Sequence, residues 1–139
     1  MNGWLLDANV LIALAWRTHS LHTAAREWFA KNADEGWATC PSTECAFVRI
    51  ISNPAFSAIA ISPPEALTVL QTSFRHPAHN FWPDDLSISD AIKTADIRVI
   101  GHQQVTDAYL VGLAAHHGGK LATLDKRLGG WHSPYIEII

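Results

Sequence analysis

Four carboxylates stand beside apolar segments of the chain and are the residues best placed for metal chemistry. Asp7 interrupts the apolar run "MNGWLLDANVLIALAW", and Glu44, Asp107 and Asp125 flank later apolar segments. A carboxylate in such a setting needs compensation, because burying an unpaired charge is strongly unfavourable. Divalent cations such as Mg²⁺ and Mn²⁺ prefer carboxylate oxygens and would supply that compensation.

Alternating strands and helices must position these acids. Short apolar segments predict buried strands at residues 3–6, 36–40, 120–124 and 135–139. Amphipathic patterns with start and stop signals predict the helices, at residues 8–16, 21–32, 41–52, 63–75, 89–97 and 106–117. Residues 79–85 are expected to form a loop with room for a short strand. The alternation predicts one α/β domain over residues 1–139, a mostly parallel sheet with helices on both faces.

Helix caps give each acid an ordinary alternative role. Asp7 is expected to cap the first helix, Ser89 or Asp90 the fifth, and Thr106 the sixth. Glu44 and Asp107 would then only offset helix dipoles. Asp125 would open a turn, a position where Asp is common.

The positions of the four acids share a property that these ordinary roles do not require. In a parallel α/β sheet, the carboxyl ends of strands and the first turns of the following helices lie along one edge, where ligands bind. Asp7 and Asp125 end strands, whereas Glu44 and Asp107 begin helices. All four should therefore project at that edge, and their mutual repulsion predicts a bound Mg²⁺, with Mn²⁺ as a substitute.

Two polar residues are candidates for supporting this site. Asn9 could hydrogen-bond a ligating carboxylate or simply lie in the first helical turn. Thr123 alternates with Asp125 along its strand, so its side chain should point to the same side. A β-branched residue is also common in strands for packing reasons alone.

The bulk composition limits the classes of function. The 139 residues are 48% hydrophobic and 17% charged, with six Trp, which is typical of a globular protein. A net charge of −3 argues against general attraction to phosphate, so a nucleic-acid role needs local positive charge or bound metal. Without a membrane-length apolar run or a signal peptide, we expect a cytoplasmic protein with Cys40 and Cys45 as free thiols.

The sequence resembles the PIN-domain ribonucleases, specifically the VapC-type toxins of bacterial toxin–antitoxin (VapBC) pairs. The resemblance lies in "LLDANVLIAL" (5–14), "CPSTECAFVRIISNP" (40–54) and "VTDAYLVGLAAHHGGKLATLDKRL" (105–128), and more loosely in "HTAAREWF" (22–29). These segments occur in the family's order and span most of the chain. Together they are specific, although an Asp after a strand is common by itself.

The resemblance implies a fold, an activity and partners. The fold is a three-layer α/β/α sandwich, and the activity is Mg²⁺- or Mn²⁺-dependent endonucleolytic cleavage of RNA. Asp7, Glu44, Asp107 and Asp125 match the family's acidic, metal-binding quartet, and Thr123 matches an accessory polar position. A VapB-type antitoxin would bind the toxin dimer and block the site, and the apolar, Trp-rich composition permits a homodimer.

One feature departs from the family pattern, in which basic residues often cluster near the cleft. Here the ten Lys and Arg are scattered along the chain. The best candidates for phosphate contacts are Arg49, Lys93, Arg98, Lys126 and Arg127.

Other chemistries fit the sequence less well. The eight His residues come without a Cys pair or an HExxH motif, so zinc is disfavoured, and His116 and His117 are expected to favour a helix end. An aspartyl phosphatase would need a second Asp at the position of Asn9. The remaining alternatives are a non-catalytic PIN-like binding or scaffold subunit and a DNA-directed metal nuclease. Residues 76–100, with Asp84, Asp85 and Asp90, are expected to be solvated loop and cap positions.

Overall fold

A parallel sheet forms the centre of the protein in a computed structural model that describes residues 1–56 and 60–139. The strands are β1 (Trp4–Leu6), β2 (Trp37–Thr39), β3 (His79–Phe81), β4 (Lys120–Thr123) and β5 (Ile136–Ile138). Their order across the sheet is β3-β2-β1-β4-β5, and each neighbouring pair is parallel. The central strand β1 pairs Leu5 with Ala38 on one side and with Leu121 on the other.

Helices cover both faces of this sheet. They are α1 (Ala8–Ala15), α2 (His22–Asn32), α3 (Pro41–Ile51), α4 (Pro63–Ser73), α5 (Ile88–Ala95) and α6 (Val105–His116). Short 3₁₀ turns cover Ala33–Glu35, His102–Gln104 and Lys126–Trp131. None of the helices in the described residues is both long and apolar enough to cross a bilayer.

The side-chain alternation of the strands divides the apolar core into two halves. Trp4 and Leu6 of β1 belong to a cluster that includes residues of α1 to α4, whereas Leu5 packs with residues of α5 and α6. The sheet is therefore covered on one face by α1–α4 and on the other by α5–α6. The predicted α/β sandwich is confirmed, with all the described strands parallel.

Close packing of α5 against α6 depends on a small residue. A Cβ atom at Gly112 of α6 would lie 2.1 Å from the backbone oxygen of Ala91 in α5. This approach holds α6 in place, and the first turn of α6 carries Asp107.

Two predicted helix caps differ from the structure. The cap of α5 is Ser87, whose hydroxyl accepts a hydrogen bond from the backbone N–H of Asp90, so the prediction of Ser89 or Asp90 is wrong. α6 follows directly from a 3₁₀ turn and begins at Val105, which places Thr106 inside the first turn rather than at the cap. Cys40 is buried, Cys45 is exposed, and both are free thiols.

Candidate metal centre at the carboxyl edge of the sheet

Asp7 lies directly after the central strand β1 and is buried, with 8% of its surface exposed. Its backbone N–H donates to the carbonyl oxygen of Ala122 at 3.0 Å, which extends the pairing between β1 and β4 by one residue. Asp7 occupies the N-cap position of α1, but its side chain makes no capping hydrogen bond. Helix capping therefore does not explain a carboxylate at this position.

Thr123, at the end of β4, holds the Asp7 carboxylate. Its hydroxyl donates to Oδ2 of Asp7 at 2.8 Å, and its oxygen accepts from Nδ2 of Asn9 and from the backbone N–H of Asp125, both at 3.1 Å. Oδ1 of Asn9 accepts in turn from the backbone N–H of Leu124 at 3.1 Å. Asn9 therefore acts on Asp7 through the Thr123 hydroxyl, not by the direct carboxylate bond considered from the sequence.

Burial and neighbouring charges make the ionised form of Asp7 costly. Burial raises the pKa of Asp7 from 3.8 to about 6; the Thr123 hydrogen bond lowers it, whereas the negative charges of Asp107 and Asp125 raise it. Burial also raises the pKa of half-buried Asp107, with a further contribution from Asp125. The charges of Asp107 and Asp125 thus destabilise ionised Asp7, and the charge of Asp125 destabilises ionised Asp107.

Arg127 partly neutralises this group through Asp125. Its Nη2 donates to Oδ2 of Asp125 at 2.7 Å, and its Nε and backbone N–H donate to Oδ1, each at 3.0 Å. These bonds lower the pKa of Asp125. Arg127, a candidate for phosphate contact, therefore binds an acid of the site, although its side chain is 82% exposed.

The fourth acid, Glu44, lies in the first turn of α3 and is hydrogen-bonded to the last residue of the neighbouring strand β2. The hydroxyl of buried Thr39 donates to Oε2 of Glu44 at 2.7 Å, and Nε2 of His79 lies 2.8 Å from the same hydroxyl oxygen. Since the single hydroxyl proton goes to Glu44, Nε2 of His79 must donate to Thr39. Glu44 is thus bonded to β2, the strand next to β1, which Asp7 follows.

Thr39 and His79 were not predicted as site residues. The available sequence signal was that Thr39 ends a buried strand five residues before Glu44. The pairing of β2 with β3, which aligns Thr39 with Phe81 and brings His79 close, could not be inferred from spacing. The remaining basic candidates, Arg49, Lys93, Arg98 and Lys126, are exposed.

The chemistry of this donor set fits a hard divalent cation. A cation among Asp7, Asp107 and Asp125 would replace repulsion with attraction and offset the cost that burial imposes on ionised Asp7. Within the described residues, the group of three possible metal ligands with all donor atoms inside 4.8 Å is a different one, Asp85, His116 and His117.

Fold and site together define an α/β protein with a cluster of carboxylates at the carboxyl edge of its parallel sheet. Residues 4–129 match the family model described as the PIN domain. The chain belongs to the PIN-domain family, and within it to the VapC ribonucleases, as its curated relatives show.

Those relatives are named ribonucleases of Mycobacterium tuberculosis. The chain is 42% identical over 124 residues to ribonuclease VapC39, with 89% of each chain covered. It is 45% identical over 122 residues to ribonuclease VapC38, covering 87% of this chain and 84% of the relative. With ribonuclease VapC29 the identity is 44% over 135 residues, covering 97% and 95% respectively.

A solved structure shows the same fold. VapBC2 from Rickettsia felis, bound to a DNA fragment from its promoter, contains a chain that aligns with a TM-score of 0.62 and 11% identity. The alignment covers 98% of this chain and 96% of the other. At this identity the likeness establishes the fold alone.

Proposed function

We propose that this protein is a Mg²⁺-dependent endoribonuclease toxin, with Mn²⁺ as a substitute ion, which a cognate VapB-type antitoxin neutralises. Its membership of the VapC ribonucleases supports hydrolysis of RNA. The observation that carries the metal dependence is buried Asp7, with its pKa raised to about 6, beside Asp107 and Asp125. A protein without a use for a cation would gain stability by replacing such an acid.

Asp7 and Asp107 are proposed as the central metal ligands, with Glu44 and Asp125 completing the site directly or through water. When bound, the divalent ion would supply a water of lowered pKa and neutralise charge developing on the scissile phosphate. The chain's own residues fix the ligands. Thr123 binds Oδ2 of Asp7, and Thr39 orients Glu44 in the same way.

The expected products follow from the attacking group. Because water, not the ribose 2′-hydroxyl, would attack phosphorus, cleavage should leave 5′-phosphate and 3′-hydroxyl ends. Lys126, next to Asp125, and Arg49, five residues after Glu44 on α3, are proposed to contact the RNA backbone. Arg127 would contact RNA only while its guanidinium is hydrogen-bonded to Asp125.

The antitoxin is proposed to cover an apolar groove between helices α1 to α4. The groove has a volume of about 570 Å³ and is lined by Leu11, Leu14, Phe29, Phe47, Val69 and Leu70. Phe47, which also lines the groove, lies three residues after Glu44 on α3. Arg26 and Arg75 also line it, which favours a partner segment that carries both apolar and acidic residues. A second copy of the chain is the other expected partner.

Hydrogen exchange on the complex would test this surface. With the cognate antitoxin bound, amide exchange should slow in α1, α2 and α4 and remain unchanged in α5. Protection confined to α5 and α6 would contradict the assignment of the groove.

The activity is tested by incubating total RNA and, in parallel, single-stranded DNA with purified protein in Mg²⁺, Mn²⁺ or EDTA. Asp7→Asn is the matched variant. Cuts in RNA that need metal, leave 5′-phosphate ends and disappear in the variant are the expected result. Cleavage of DNA alone would favour the DNA-directed alternative. Folded wild-type protein that cleaves neither substrate would favour the non-catalytic binding subunit.

A further inference from the structure

A second group of potential metal ligands lies at the opposite end of α6 from Asp107. His116 and His117 end this helix, and Asp85 reaches them from the segment after β3. Asp107 and His116 are nine positions apart, which corresponds to about 14 Å of helix. The two groups are therefore separate sites, at opposite ends of α6.

The distances within this group are those of a metal-ligand set. Oδ1 of Asp85 lies 3.0 Å from Nε2 of His117 and 3.7 Å from Nε2 of His116. One donor atom from each of the three side chains falls within 4.8 Å of the others. A tetrahedral ion with bonds of 2.0–2.1 Å separates its ligand atoms by about 3.3 Å, so small side-chain rotations bring all three into range.

One of the three ligands is held in place before any ion binds. The ring of His117 stacks on buried Trp82, with centroids 5.0 Å apart and an interplanar angle of 11°. Its backbone oxygen accepts from Nδ2 of Asn2 at 2.9 Å. The side chains of His116 and Asp85 are 40% and 43% exposed, so an ion can enter from solvent and retain water.

We propose that Asp85, His116 and His117 bind a first-row transition-metal ion, Zn²⁺ in the first place. Two imidazoles and one carboxylate, with a remaining position for water, form a donor set that zinc accepts readily. The all-carboxylate edge instead suits Mg²⁺ and Mn²⁺. The ion joins the C-terminal end of α6 to the segment between β3 and α5. It thereby stabilises the position of α6, which carries Asp107 in its first turn.

The experiment measures zinc retained per chain after desalting and the shift in melting temperature on adding Zn²⁺ to EDTA-treated full-length protein. Asp85→Asn and His116→Ala remove a ligand at exposed positions. His102→Ala removes an exposed histidine elsewhere, and Asp7→Asn disables the acidic edge. Melting in EDTA shows whether each variant is folded before zinc is added.

We expect Asp85→Asn and His116→Ala to weaken zinc binding by about 100-fold or more, because loss of a direct ligand should exceed the 10–100-fold effect of outer-shell changes. The zinc-induced shift should persist in His102→Ala and Asp7→Asn. Three results would overturn the proposal: no shift in the wild type, a shift that survives both ligand variants, or a shift that Asp7→Asn abolishes.

Discussion

The hydroxyl of Thr123 donates a 2.8 Å hydrogen bond to Oδ2 of Asp7, joining the end of β4 to the residue that follows β1. The two residues are 116 positions apart in the chain. This bond lowers the pKa of a buried acid whose surroundings otherwise raise it. It thereby keeps one carboxylate oxygen fixed and the group easier to ionise.

Replacing Thr123 by Val should preserve packing but remove the donor. We expect a loss of about 1–3 kcal/mol in unfolding free energy at neutral pH, since a buried acceptor is left unsatisfied. RNA cleavage should fall while the fold remains. Denaturant unfolding and initial cleavage rates measure the two effects. Thr123→Ser, which retains the hydroxyl, should recover most of the stability and most of the cleavage rate. A Val variant as active as wild type would show that the bond does not position Asp7.

Asp7→Asn should abolish metal-dependent cleavage and stabilise the metal-free protein. The pKa of Asp7 rises from 3.8 to about 6 on folding. At 1.36 kcal/mol per pKa unit, removing the charge should add up to about 3 kcal/mol to the unfolding free energy at pH 7. Chemical denaturation in EDTA measures this gain. An unchanged or lower stability would mean that the carboxylate is not under electrostatic stress.

The same shift predicts a pH dependence of stability. Because the folded pKa of about 6 lies above the unfolded value, native Asp7 binds its proton more tightly. Its stabilising contribution is fully present below pH 3.8 and is lost as pH rises through about 6. Asp107, whose pKa is also raised, acts in the same direction.

Unfolding free energies in EDTA between about pH 4 and pH 7 should therefore show this loss in the wild type. In Asp7→Asn the loss should be smaller. Saturating Mg²⁺ should reverse it, because a bound cation favours the ionised carboxylates. Parallel pH curves for the two proteins would contradict the raised pKa.

Arg127→Ala should make the acidic edge bind cations more readily. The guanidinium engages both oxygens of Asp125 and would compete with a metal ion there. The Mg²⁺ concentration for half-maximal cleavage should decrease, although RNA affinity can fall at the same time. Lys126→Ala is the matched control, since it removes a neighbouring exposed positive charge without freeing Asp125. A higher metal requirement in Arg127→Ala would show that the ion pair supports the site.

Gly112→Ala should destabilise the protein by about 1–3 kcal/mol or more, as overpacking of a close contact does. The added methyl group would lie 2.1 Å from the backbone oxygen of Ala91 and force α5 away from α6. Gly130→Ala is the control, because a methyl group there meets no atom within 4 Å. Thermal unfolding of the two variants should differ clearly; similar melting temperatures would mean that the helices separate without cost.

Much of the fold was predictable because local signals agree. The segments of β1, β2, β4 and β5 are short and largely apolar, and three of the helices begin near Pro or an expected cap. The placement of Asp7 and Asp125 at one edge followed from parallel pairing, which short strands alternating with helices require. Asp7 follows β1 and Asp125 follows β4, as that argument expects.

Contacts between distant segments could not be predicted. The five-residue spacing of Thr39 and Glu44 could have predicted their hydrogen bond. The contact of His79 with Thr39 depends on the pairing of β2 with β3, which spacing does not reveal. The sequence predicted Asp85 to be a solvated loop residue, whereas in the fold its carboxylate lies close to His116 and His117. The cap at Ser87 was missed because three polar residues within four positions, Ser87, Ser89 and Asp90, offer similar capping groups.

The order of the strands has a consequence for the newly made chain on the ribosome. Both sheet neighbours of β1 come later in the sequence, and the later of them, β4, supplies the Thr123 that holds Asp7. Because the two are 116 positions apart, synthesis at 5–20 residues per second separates them by roughly 6 seconds or more. Throughout that interval the nascent polypeptide carries Asp7 without its hydrogen-bonding partner. A ribosome-bound fragment that stops before β4 should be harmless to RNA.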